Sequence, residues 1–185
     1  NTIQWSTRVW WMMHSIGIKK VAILDGGFET WVAEGNKTST EQTNYQQATL
    51  TANPRYDLFV GKKEVYAALD DGFTCIINAL TADVHCGRDA RYGRPGHIPG
   101  SVNVPAASLQ DSKSLKINEP GEVAKAFVDA GADSRNPVIV YCGGGVAATL
   151  NAFLLYQLGY KNVAVYDNSM SEWANNPDLP IEKIV

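Results

Sequence analysis

The run Val138-Ile139-Val140-Tyr141 is the feature that most narrows what this chain can fold into. With no polar position among β-branched and aromatic residues, it reads as a strand buried on both faces. Such a strand belongs in the middle of a parallel sheet with helices on either side. Cys142, Gly143, Gly144 and Gly145 end it, and Val146, Leu150, Phe153, Leu154 and Leu158 then recur at helical spacing on one face. This order puts Cys142 at the carboxyl end of a central strand and before a helix N-terminus, the rim where open α/β sheets bind ligands.

Side-chain bulk is small from Gly143 to Ala148. The backbone N–H groups of Gly143, Gly144, Gly145, Val146, Ala147 and Ala148 can therefore turn inward as an anion-binding nest, reinforced by the helix dipole. A thiol held there is acidified. A free cysteine with a pKa of ~8.5 is only a few per cent thiolate near neutral pH. Stabilising the thiolate by about 2 kcal/mol lowers the pKa by roughly 1.5 units and ionises about half of it. The loop can make its own nucleophile without a His or Arg partner. The blander reading is a cysteine serving as a small core hydrophobe. Gly143-x-Gly145-x-x-Ala148 with Asp167 also has dinucleotide-binding spacing, but too little chain follows Asp167 for the remaining strands of that fold. A tyrosine-phosphatase-type loop needs an arginine where Ala148 stands.

At 185 residues, the chain can hold one ordinary domain and something more. A net charge of -3 gives no reason to expect nucleic acid or an anionic membrane as partner. Three cysteines (Cys75, Cys86, Cys142) without framework spacing suit a reducing, cytoplasmic compartment, and a chain opening on Asn1 leaves a removed targeting segment open. His85 beside Cys86 has no second ligand pair, so neither metal nor cofactor is expected. The patch Val9 to Met13 is too short to span a membrane.

The chain also repeats itself. Gly17, Lys19, Val21, Ala22, Asp25 and Trp31 recur as Gly159, Lys161, Val163, Ala164, Asp167 and Trp173 at a constant offset of 142, without a gap. Each copy reads helix end, glycine, strand, Asp turn and a short helix carrying Trp. Residues 1–35 then form the C-terminal tail of a first domain: a helix from about Ser6 to Ile16, a strand from Val21 to Leu24 and a helix from Phe28 to Glu34. Residues 36–57 turn polar and read as a linker, and residues 58–185 form the second domain. There the expectation is a helix at 62–69, a strand at 74–78 and a long loop at 80–99. A strand at 102–104, a helix at 121–130, the Cys142 unit and a strand at 163–166 complete it. A tail exposing Trp10, Trp11, Met12, Val21, Ile23, Phe28 and Trp31 cannot bury its own apolar face. It is expected either to be accompanied by an N-terminal half or to self-associate through residues 1–35.

Gly96-His97-Ile98-Pro99-Gly100-Ser101-Val102-Asn103-Val104-Pro105, the Cys142 loop, Val165 to Ser169 and Ser171-Glu172-Trp173 together resemble a rhodanese domain. Arg8 to Met12 with Leu24 to Phe28 resembles the end of an inactive first domain, so the chain is similar to the C-terminal portion of a tandem-domain sulfurtransferase. The resemblance implies a three-layer α/β fold with a mostly parallel sheet. It also implies an enzyme whose Cys142 takes a sulfane sulfur from thiosulfate or 3-mercaptopyruvate, becomes a persulfide, and passes the sulfur to a thiol or cyanide acceptor. The uncharged Gly143 and Gly144 liken the loop to the mercaptopyruvate type. Arg91 aligns with a substrate arginine, with Arg88 and Arg94 close by, whereas another falls at Val84. Gly144 and Ala147 stand where the family carries hydroxyls, Asn78 where it has Asp, and Asn168 and Met170 where it has Gly and Trp. These departures leave open a second reading, a non-catalytic rhodanese-like binding or redox-sensing module.

Overall fold

Five short strands lie side by side in the order β1-β5-β4-β2-β3, every neighbouring pair parallel, in a computed structural model that describes residues 3–184. They are β1 (Phe59–Val60), β2 (Cys75–Asn78), β3 (Val102–Asn103), β4 (Val138–Tyr141) and β5 (Val163–Tyr166). β4 occupies the centre, as its unbroken apolar run requires, and every residue in it is buried. Side chains alternate between faces along each strand. Ile77, Val138, Val140 and Val165 enter a core shared with α1 (Ile3–Ser15), α5 (Pro120–Asp129) and α6 (Ala148–Gln157). Ile76, Ile139, Tyr141 and Tyr166 face the other way, onto α3 (Lys62–Ala68) and α7 (Ser169–Trp173). The expected parallel sheet with helices on both faces is the observed architecture. Two short helices stand outside these layers: α2 (Gly27–Ala33), and α4 (Ala82–His85) inside the segment read as one long loop.

Local expectations fail in two instructive places. The one-sided apolar pattern assigned to α6 is not how that helix packs: every residue from Ala148 to Leu155 is buried. One side of α6 lies on β4 and β5, and α1 covers the other, so no polar face is needed. The strand expected at Val21 to Leu24 does not form. Val21 and Ile23 rest against the core, but no neighbouring strand bonds the segment, and an extended chain without a ladder partner is not a strand. β1 was not anticipated; two residues are too few to show a period.

The helices that pack together, α1 and α6, are repeat counterparts. Thr7 and Thr149, one offset of 142 apart, are both fully buried and hydrogen-bonded hydroxyl to hydroxyl at 3.0 Å. Around them Trp10 meets Phe153 edge-on at 4.9 Å between ring centres, and Trp11 is fully buried, its indole N–H donating to the Leu58 carbonyl at 3.0 Å. Residues 37–52 run exposed and without regular structure. The segment then returns to α1, where the Asn53 and Arg55 N–H groups bond the carbonyls of Ile16 and Ser15. These are the carbonyls that a helix end leaves without an internal partner.

Because Trp11 is fully buried in the core that α1 shares with α6 and bonds the chain entering β1, Trp11→Ala should destabilise the whole chain by about 3–5 kcal/mol. Urea denaturation followed by circular dichroism should show one cooperative transition moved to lower denaturant. A separate early transition confined to residues 1–35, with the main transition unmoved, would show that α1 is not part of the common core.

Candidate active site

β4 delivers Cys142 to the carboxyl edge of the sheet, where its side chain is 2% exposed. The backbone there is held from one side by the start of α7. The Cys142 N–H donates to the Ser169 hydroxyl at 3.0 Å, and that hydroxyl donates to the Tyr166 carbonyl at 2.7 Å. The Cys142 carbonyl accepts from Met170 N–H at 3.0 Å. The Gly143 carbonyl accepts twice from Ser171, from its N–H at 2.8 Å and its hydroxyl at 2.6 Å. Ser169 makes these contacts with φ at 50°, a left-handed conformation that costs a non-glycine residue roughly 1–2 kcal/mol.

With both carbonyls engaged, the loop's donors remain. Among the described residues, none of the N–H groups of Gly143, Gly144, Gly145, Val146, Ala147 and Ala148 bonds a protein acceptor. The chain bends from Gly143 to Gly145, turns at Val146 and Ala147, and opens to solvent at Gly144. It then enters the ten-residue helix α6. A buried thiol thus sits beside a bend of N–H groups that lack protein acceptors and ahead of a helix N-terminus, the arrangement of an anion-binding nest.

Two glycines of the loop are needed for space. Gly145 has φ at 76°, and a side chain there would press on the Asp167 carbonyl and carboxylate. A side chain on Gly143 would overlap the Tyr92 ring. Tyr92 is half-buried, and burial followed by the negative charge of Cys142 pushes its phenol above the ordinary range. Its backbone is fixed by Asn175, whose amide donates at 2.9 Å both to the Tyr92 carbonyl and to the Ser171 carbonyl.

The arginines of the 80–99 segment are engaged elsewhere. Arg91 is exposed and bonds Asp89, its Nε at 2.8 Å from the carboxylate, and Arg88 pairs with Asp83 at 2.6 Å. Arg94 binds backbone carbonyls, with Ala174 at 3.0 Å, Leu179 at 2.9 Å and Trp173 and Asn176 alongside, which makes it a clamp on the end of α7. Val84 is buried. The cation that does reach the loop is Arg8 of α1, paired with Asp167 and 3.4 Å from the Gly145 carbonyl. Cys75 and Cys86 are half-buried, and burial raises the Cys75 thiol.

Beneath this segment His85 and His97 stack at 3.9 Å between ring centres, both buried. His97 donates from Nδ1 to the His85 carbonyl at 2.7 Å, and Asn78 donates its amide N–H to His85 Nδ1 at 3.2 Å. Desolvation, then the neighbouring His97, pushes the His85 pKa down from 6.5 to about 4. The amide of Asn78 suits a neutral ring, where a carboxylate would have favoured the imidazolium.

Sequence reasoning missed Tyr92, Ser169, Ser171 and Arg8. Both serines lie inside segments that carried the rhodanese resemblance, so a question about what holds the loop carbonyls could have found them. Nothing in the sequence marks Tyr92 among the eight tyrosines.

The profile of the Rhodanese-like domain family matches residues 62–176. The 3-mercaptopyruvate sulfurtransferase of Escherichia coli K12 is 32% identical over 183 residues, an alignment covering 96% of this chain and 63% of that protein. The thiosulfate sulfurtransferase of Rattus norvegicus is 32% identical over 173 residues, covering 91% of this chain and 58% of that one. This chain therefore spans about three-fifths of the length of these relatives. Among solved structures, the anaerobic ergothioneine biosynthesis enzyme of Chlorobium limicola, in complex with trimethyl histidine, superposes with a TM-score of 0.86 at 21% identity. That match covers 97% of this chain and 45% of the other, and shows a shared fold.

Since His85 is neutral when folded and ordinary when unfolded, the unfolded state binds more protons between pH 6.5 and about 4. Its contribution is complete above pH 6.5 and is lost as the pH falls toward 4, by up to roughly 3 kcal/mol. In NMR, the His85 ring signals should stay unchanged through pH 6.5. An imidazole titrating at its ordinary value would contradict this.

Proposed function

The chain belongs to the rhodanese-like domain family, and from that membership and its loop geometry we propose that it is a sulfurtransferase working through a Cys142 persulfide. The observation that carries the reading is the set of unpaired N–H groups from Gly143 to Ala148 around a buried thiol. The Cys142 thiolate attacks the sulfane sulfur of thiosulfate or the thiol sulfur of 3-mercaptopyruvate, forming the S–S bond of the persulfide. The donor's bond to that sulfur breaks and takes its electron pair away, leaving sulfite from thiosulfate or the enolate of pyruvate from 3-mercaptopyruvate. The outer persulfide sulfur is anionic when thiosulfate is the donor, and becomes so with 3-mercaptopyruvate once the thiol proton has passed to the enolate; the N–H groups stabilise that anion as they do the thiolate. A thiolate or cyanide then attacks that sulfur and returns the Cys142 thiolate. The loop itself carries no cation, so the donor's anionic end is met by the N–H groups, and Arg91, next to Tyr92, joins them only by giving up its exposed pairing with Asp89.

Incubation with thiosulfate or 3-mercaptopyruvate should add the mass of one sulfur atom to the intact protein. Thiol or cyanide should remove it, and Cys142→Ser should abolish it. Peptide mapping should find the sulfur on Cys142, with Cys75 unmodified because burial keeps it protonated. Sulfur on Cys86, or none on the wild-type chain, would refute the reading.

The same reading extends to the exposed apolar side chains of residues 1–35. Val9, Met12, Leu24, Phe28 and Trp31 are exposed, whereas their counterparts one repeat later, Asn151, Leu154, Tyr166, Met170 and Trp173, are buried against the sheet and its neighbours. We assign this face as the docking surface for the sheet of a second rhodanese-like domain, absent which the chain pairs with another copy. Sedimentation of the chain alone should show self-association, weakened by combining Phe28→Ser with Trp31→Ser. A monomer that binds no apolar dye would overturn the assignment.

A further inference from the structure

We propose that Tyr92 is a catalytic residue that serves carbon-leaving donors: its phenol protonates the enolate released when sulfur leaves 3-mercaptopyruvate. The inference rests on the persulfide reading of Cys142 and adds a group that carries the proton of the persulfide S–H to the enolate carbon. Gly144 and Ala147 carry no hydroxyl, and Ser169 and Ser171 spend theirs on the backbone carbonyls of Tyr166 and Gly143. The Tyr92 phenol is the hydroxyl left at the mouth of the loop. Its ring and oxygen fill the space a side chain on Gly143, the residue after the nucleophile, would take.

This placement is rigid. Asn175 ties the Tyr92 carbonyl to α7 through the Ser171 carbonyl, and Ser171 in turn holds the Gly143 carbonyl, so phenol and loop hang from one short helix. On the near side, Asp89 accepts from the N–H of Arg91 at 3.0 Å. On the far side, Arg94 is bound to the carbonyls that end α7. Burial and the negative charge of Cys142 hold the phenol protonated, the state a donor requires.

The chemistry balances without a further reactant. The thiolate takes the donor's sulfur, the carbon–sulfur bond gives its electron pair to carbon, and the product is an enolate beside a persulfide bearing one S–H. The phenol gives its proton to the enolate carbon, producing pyruvate. The tyrosinate then recovers a proton from the persulfide S–H, leaving a neutral phenol and an anionic persulfide. Thiosulfate needs none of this, because sulfite leaves as a stable anion.

That contrast supplies the test. Tyr92→Phe keeps the ring over Gly143 and removes only the hydroxyl. It should lower kcat with 3-mercaptopyruvate by about 100-fold, the ordinary scale of a lost general acid. Persulfide formation from thiosulfate, read by intact mass, should stay within about twofold of wild type. In the wild type, proton transfer should give a solvent deuterium effect on the mercaptopyruvate reaction that the variant loses. Unchanged mercaptopyruvate turnover, or an equal loss with both donors, would return Tyr92 to a packing role. A chain that accepts sulfur from thiosulfate but not from mercaptopyruvate would overturn the Tyr92 proposal and leave the persulfide reading standing. A wild type that accepts sulfur from neither would overturn both.

Discussion

Everything at the sheet edge depends on where the carbonyls of Cys142 and Gly143 point their lone pairs. Both are bonded to the first turn of α7, through Met170 and Ser171, and the Cys142 N–H is bonded to the Ser169 hydroxyl. Buried backbone groups must find partners, and these find theirs in one neighbouring element. The loop donors that follow are thereby spared. A left-handed Ser169 is the local cost of this arrangement, roughly 1–2 kcal/mol against several hydrogen bonds. Helix α7 is short, yet it is anchored on its own account: Trp173 is fully buried with its indole N–H bonded to the Pro180 carbonyl, and Arg94 clamps its end.

The opposite face of the sheet works by a different means. Helix α6 carries no polar side because α1 supplies the surface that water would otherwise meet. This joins residues near the start of the chain to the reactive loop, through Arg8 against Asp167 and Thr7 against Thr149. Arg8 also lies over the Phe59 ring, 5.2 Å from its centre, so the guanidinium touches β1, the turn after β5 and the loop at once. Perturbing α1 is therefore expected to reach the thiol, though no residue of α1 is reactive.

What could be read from the sequence follows from how local each signal is. The runs at Val138 to Tyr141 and Val163 to Tyr166 match β4 and β5 residue for residue, because a strand buried on both faces needs no partner to be recognised. The cysteine, the glycines after it and the repeat were likewise visible as residue types at fixed spacing. The burial of α6 was not, because its apolar residues suit a one-sided helix until α1 is placed. Val21 to Leu24 reads as a strand on composition, but a strand is a relation between two segments, and the second is not there. Arg91 was visible because arginine stands out. Tyr92 and Ser171 act through position alone, and position is what a single sequence withholds.

The contact between Thr7 and Thr149 has a geometric meaning of its own. Contact between a residue and its own repeat counterpart is also the signature of an isologous dimer, where one patch meets its copy. Here the two halves of that patch sit on one polypeptide, so each can change separately. Trp11 stands on one side where Phe153 stands on the other, and Met13 where Leu155 does. In a dimer of identical chains any such change would appear on both sides of the contact. On a single chain it appears once, so α1 and α6 can each be fitted to the surface it meets.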